Sequence, residues 1–200
     1  MQEIEALNRT LFLHINGGAA TPPWLVDTAY VIAEWLIYLL PALMLALWLW
    51  GGHDRRRLAA KALLATLLAL GINQVIALFW MHPRPFMIGL GHAWLEHVPD
   101  SSFPSDHGTV FAAVGLALML GGATRLAAVV FGTGLAVAWA RIFLGVHYPF
   151  DMVGAVVVSA VACGVIGVLW GTAGEALLGP AERLYRVMFA RPIKAGWVRP

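Results

Sequence analysis

Apolar residues run almost unbroken through five stretches, roughly 24–50, 58–80, 107–121, 126–141 and 152–170, and polar residues collect between them. A helix needs about 20 residues to cross a hydrocarbon core. The first two stretches and the last meet that length. The third and fourth are shorter and span only with their polar flanks drawn in or the bilayer locally thinned. The segment GGATR (121–125) between them reads as a tight helical hairpin. Residues 2–16 place Ile4, Leu7, Leu11 and Ile15 at helical spacing with polar residues between, which predicts an amphipathic helix on the membrane surface. A sixth, partial span is the alternative for that segment. The pattern as a whole predicts an all-α protein, a polytopic transmembrane helix bundle of five spans plus this N-terminal helix. It forms one integral-membrane domain: 1–23 interfacial, 24–170 the bundle, 171–200 a basic tail with a surface helix near 180–190.

Composition agrees. Of 200 residues 60% are hydrophobic and only 12% charged, with a mean hydropathy of +0.76. Soluble domains carry about 25% charged residues, so an ordinary soluble fold is excluded. The formal net charge of +2 is unremarkable, and no nucleic-acid partner is expected. Cys163 is the single cysteine, which rules out an intramolecular disulfide. The N-terminal residues begin acidic and lack a basic n-region, so no cleavable signal peptide is expected.

The distribution of charge adds orientation. Arg55, Arg56, Arg57 and Lys61, the hairpin Arg125, and Arg183, Arg186, Arg191, Lys194 and Arg199 of the tail fall on one side of a five-span chain. Those are ten of its thirteen basic residues. The positive-inside rule makes that side cytoplasmic and turns segments 81–106 and 142–151 outward. Arg84 and Arg141 run against the bias, and each sits in a segment rich in other polar groups.

Three such segments meet on the outer side: HPRPF (82–86), FPSDH (103–107) and RIFLGVHYPFD (141–151). Together they hold two arginines, two histidines, an aspartate four residues after His147, and Ser105 ahead of a helix start. Guanidinium forks match phosphate oxygens in pairs, and a helix N-terminus offers free N–H groups to an anion. A histidine attacks phosphorus when an aspartate fixes its tautomer. Each piece also has a plainer reading. Arg84 could contact lipid headgroups, Ser105 and Asp106 could only cap a helix, Asp151 could cap the last span, and His147 could be interfacial. Three such pieces at span ends on one face outweigh those readings. His92 and His97 lack the spacing of a metal site, and no metal or other cofactor is expected.

The motifs PSDH (104–107) and R-x5-H-x3-D (141–151), with RP at 84–85, resemble the membrane-bound type-2 phosphatidic-acid phosphatase superfamily. Their wording is most similar to its bacterial undecaprenyl-diphosphate phosphatases of the bacitracin-resistance type. The resemblance implies His147 as nucleophile, Asp151 as its orienting carboxylate and His107 as acid and then base. Substrate binding would fall to Arg84, Arg141, Ser105, Pro104, Asp106 and His82. It further implies a multi-pass protein of the bacterial inner membrane with its site facing the periplasm or outside, and a polyprenyl-diphosphate lipid as substrate. Two positions depart from the family pattern: Ala77 stands where a lysine is usual, and Ala140 where a serine is usual. His82, Asn73 or Gln74 are candidates to replace the lost contacts. Another lipid phosphate as substrate, transfer to a second lipid, and a non-catalytic lipid-binding bundle are the rival readings. Oligomeric state is left open.

Overall fold

The computed structural model describes residues 2–200. Helix α1 covers Gln2–Ile15, α2 Pro23–Trp35, α3 Leu39–Leu49, α4 His53–Phe79, α5 Asp106–Leu120, α6 Thr124–Phe143, α7 Pro149–Leu169, α8 Glu175–Met188 and α9 Ala190–Lys194. A 3-10 turn at Leu36–Tyr38 joins α2 to α3 in one apolar stretch, Pro23–Leu49. A π-turn at Trp170–Gly174 likewise carries α7 into α8, so Pro149–Met188 runs on as 40 helical residues. Among the described residues four stretches are long and apolar enough to cross a membrane, and α5 is a fifth, shorter apolar helix. Helices are the expected choice there, because they satisfy every backbone polar group within the segment.

Short α5 is the axis of the bundle, with α4, α6 and α7 packed around it. Its residues Phe111, Ala112, Ala113, Val114, Gly115, Ala117 and Leu118 are buried. On α4 the buried positions Ala59, Ala62, Ala65, Ala69 and Asn73 recur every three or four residues. That stripe of small side chains lets helix backbones approach closely where apolar burial gives no drive between helices. Large apolar residues instead face outward, among them Leu63, Leu67 and Leu78 on α4 and Val153, Val157, Val161 and Val168 on α7. Lipid is the solvent for that surface.

The two ends of the bundle differ. At one end Arg56 is buried and donates to the carbonyl oxygens of Trp48, Arg199 and Pro200, with its guanidinium 4.5 Å over the Tyr185 ring. This ties the tail to the α3–α4 turn. At the other end α1 packs on the loops that carry the motifs. Its Asn8 and Phe12 are buried, whereas Ile4, Leu7 and Leu11 are exposed. Ile4, Leu7 and Leu11 of the apolar stripe read from the sequence therefore point away from the protein, while Ile15 at its end packs against the α6–α7 turn.

Candidate active site

The site is assembled by the loop between α4 and α5 and the turn between α6 and α7. Pro83 bridges antiparallel to Ser101, and Ser102 N–H donates to His82 O at 2.8 Å. This closes the loop on itself and brings Arg84 beside Asp100, Ser101 and Ser102. Asn16 fastens the loop to the α6–α7 turn through its amide, which donates to His92 O and Phe143 O and accepts from His92 N–H. Trp94 N–H donates to Leu144 O at 2.9 Å. Gly145 adopts a φ of +87°, and a Cβ there would meet the backbone of His92. Only glycine fits that turn comfortably.

His147 and Asp151 lie on either side of the start of α7, where Pro149 occupies the first turn. Asp151 Oδ2 accepts from Tyr148 N–H at 2.8 Å, from the Ser102 hydroxyl at 2.5 Å, and faces His147 Nδ1 at 3.1 Å. Arg84 Nη1 lies 3.1 Å from His147 Nε2. Nη1 is also 3.5 Å from Nδ1, so the guanidinium stands over the ring face rather than along the Nε2 lone pair. An ionised Asp151 carboxylate only accepts, which puts the ring proton on Nδ1, toward Asp151. That is the tautomer a nucleophilic Nε2 requires. Burial, reinforced by the charges of Arg84 and Arg141 and then of His97 and His107, pushes the His147 imidazole well below its usual value. It stays neutral at neutral pH.

Arg84 gives all its nitrogens to protein acceptors. Nε donates to Asp100 Oδ1 at 2.8 Å, Nη1 to Val146 O at 2.9 Å, and Nη2 to Ser101 O at 3.2 Å. Arg141, buried at the end of α6, donates through Nη1 to Glu34 Oε1 on α2 at 2.8 Å, and its Nε has no partner. Ser105 caps α5: its hydroxyl accepts from Gly108 N–H at 3.3 Å while its own N–H donates to Asp151 O. Pro104 beside it is buried. Asp106 is held by the Asn73 amide at 2.8 Å, which also donates to Thr109 Oγ1 at 2.9 Å. His107 is half-buried in the first turn of α5.

Arg84, Ser105, Arg141, His147 and Asp151 are thus gathered at one end of the bundle, with Asp106 and His107 at the adjacent start of α5. His82 is turned aside: its Nε2 lies 3.3 Å from Glu5 Oε2 of α1, and its ring stands edge-on to Tyr148. Asn73 serves the α4–α5 contact, and Gln74 is exposed. Sequence reasoning missed Ser102, Asp100 and Glu34. Ser102 lies outside the motifs and meets Asp151 only once the loop has folded. Glu34 carried a readable signal, since it and Asp27 are the two carboxylates of an apolar run.

Comparisons with known proteins converge on one family. The PAP2 superfamily model matches residues 58–174. The chain is 36% identical over 196 residues to the Escherichia coli K12 protein named "Putative undecaprenyl-diphosphatase YbjG", covering 98% of this chain and 99% of that protein. It is 32% identical over 155 residues to the undecaprenyl-diphosphatase BcrC of Bacillus subtilis, covering 78% and 80% respectively. Its fold matches the crystal structure of Aquifex aeolicus LpxE with a TM-score of 0.63 at 22% identity, over 80% of this chain and 94% of that one. The matched segment holds every residue of the histidine–aspartate–arginine cluster, and with it the chain belongs to the PAP2 superfamily.

Proposed function

We propose that the protein is an undecaprenyl-diphosphatase, releasing inorganic phosphate from undecaprenyl diphosphate to leave undecaprenyl phosphate through a phosphohistidine at His147. The observation that carries the chemistry is the hydrogen-bonded row Ser102–Asp151–His147, which leaves the Nε2 lone pair of a neutral imidazole free, with the Arg84 guanidinium over the ring face. The names of its relatives carry the choice of lipid.

Nε2 attacks the terminal phosphorus in line, and the bond from that phosphorus to the bridging oxygen breaks. His107 gives its proton to the departing lipid phosphate. It then takes a proton from water, which attacks the phosphohistidine, frees phosphate and restores Nε2. Arg84 and Arg141 meet the charge on the transferring oxygens, each such donor being worth about 3 kcal/mol in a preorganised site. Their charges supply the electrostatic role that a metal ion fills in other phosphoryl-transfer sites.

An apolar groove of about 320 Å³ between α5, α6 and α7 is lined by Gly108, Ala112, Phe131, Gly134, Ala138 and Val156. It begins one residue after His107, a fit for an isoprenoid chain whose diphosphate head would lie toward His147. The positive-inside rule orients this end outward, to the periplasm in a bacterial inner membrane.

The test is phosphate release by purified protein from undecaprenyl diphosphate, phosphatidate and phosphatidylglycerophosphate, with and without EDTA. A departing lipid phosphate needs less protonation than an alkoxide, so a site with alanine at 77 and 140 loses more on monoesters. The expected kcat/KM favours the diphosphate by at least about tenfold and persists in EDTA, since one charge-assisted hydrogen bond is worth roughly that factor. Equal efficiency on phosphatidate transfers the reading to a general lipid phosphatase.

A further inference from the structure

Position 140 carries no polar side chain, and its surroundings explain why. Ala140 is fully buried in one apolar cluster with Ala29 and Ala33 of α2 and Phe143 and Leu144. Methyl side chains at 33 and 140 let α2 and α6 approach closely. The residue that follows each is charged: Glu34 and Arg141. Glu34 lies within the apolar stretch Pro23–Leu49, where an ionised side chain is costly unless paired, and its Oε1 sits 2.8 Å from Arg141 Nη1.

The two arginines of the site are held differently. Arg84 is built into the wall through Asp100, Ser101 and Val146. Arg141 is gripped at one corner only, and its buried Nε has no partner. A planar guanidinium fixed at Nη1 keeps a defined direction for its remaining donors. We propose that Glu34 is a positioning residue that aims the free donors of Arg141 at the transferring phosphate, so that the first span completes a site whose recognisable motifs all lie elsewhere. With no side-chain donor at Ala77 or Ala140, the aim of Arg141 carries more of the task. The inference rests on the phosphatase reading but not on the identity of the lipid.

The experiment is a double-mutant cycle on the full-length protein, with Glu34→Ala and Glu34→Gln made alone and with Arg141→Lys. Each variant is assayed for kcat and KM on whichever lipid phosphate the parent hydrolyses fastest. Misplacing a charge-stabilising group acts on the transition state. Glu34→Ala is therefore expected to lower kcat about tenfold or more with KM changed less than about threefold. Glu34→Gln should recover most of the loss, because its amide oxygen still accepts from Nη1. In the Arg141→Lys background Glu34→Ala should add little. Should Glu34→Ala fail to fold, Glu34→Asp withdraws the carboxylate while keeping its charge and is expected to show the same kcat loss with the fold retained. Losses that multiply independently in the cycle, a lowered melting temperature with kcat unchanged, or a gain of kcat/KM on removing the carboxylate would each overturn the inference. A parent that releases phosphate from no lipid phosphate overturns the phosphatase reading and this inference with it.

Discussion

His147 Nδ1 faces Asp151 Oδ2 at 3.1 Å with both side chains buried, while the Arg84 guanidinium lies over the ring, 3.1 Å from Nε2. The contact joins residues one helical turn apart, so the start of α7 itself presets the tautomer. Ser102 reaches the same carboxylate oxygen from the opposite loop.

Removing the orienting carboxylate should therefore be severe and removing its support moderate. Asp151→Asn lets the wrong tautomer form and is expected to lower kcat by at least about a hundredfold. Ser102→Ala deletes one charge-assisted hydrogen bond, about 1.5–3 kcal/mol, and should lower kcat roughly ten- to a hundredfold. Steady-state phosphate release checks both. A Ser102→Ala enzyme with parental kcat contradicts the assigned support.

The pH profile follows from the same geometry. Burial and two neighbouring cations depress the His147 pKa below its usual 6.5, so His147 stays neutral as pH falls through the ordinary histidine range. Loss of kcat/KM through protonation of His147 should begin only well below that value. Arg84→Gln removes one cation, raises the His147 pKa and should move the acid limb of the residual activity to higher pH. An acid limb near 6.5 shared by both proteins contradicts this.

The groove beside His107 predicts dependence on tail length. Ala138 lines it between α5 and α6, and Ala138→Leu should raise KM for undecaprenyl diphosphate several-fold while leaving a short-chain diphosphate nearly unaffected. Equal effects on both substrates would place the tail elsewhere.

Orientation is checked by labelling. Glu96 and Arg183 are exposed at opposite ends of the bundle. Cysteines introduced there in a Cys163→Ala background should react with an impermeant thiol reagent in intact cells at 96 alone. Reaction at both positions contradicts the orientation.

How much of this was legible in the sequence varies with how local the cause is. The spans were readable because lipid forces apolar helices; most ends shifted by only a few residues, but the last runs on through the π-turn to Met188, where a separate surface helix was expected. His147 and Asp151 were readable because their relation is fixed by a four-residue step, and Ser105 because a helix cap is local. Ser102 was not, since its contact depends on the Pro83–Ser101 closure of a long loop. The His82 ring also escaped, because α1 supplies Glu5 from far away in the chain. The spacing of Ile4, Leu7 and Leu11 located α1 but left open which side meets protein. Asn8 decides that by accepting from Phe150 N–H, together with buried Phe12. The Glu34–Arg141 pair spans most of the bundle's sequence and needed the packing of α2 on α6 to appear.

The most direct test of the account is the covalent intermediate. Enzyme quenched during turnover of undecaprenyl diphosphate labelled in its terminal phosphate should carry acid-labile, base-stable label on a peptide containing His147. The label should be missing from His147→Ala, which should be folded and inactive. Substantial phosphate release by His147→Ala, or label mapping to another residue, would contradict the central claim that His147 attacks phosphorus.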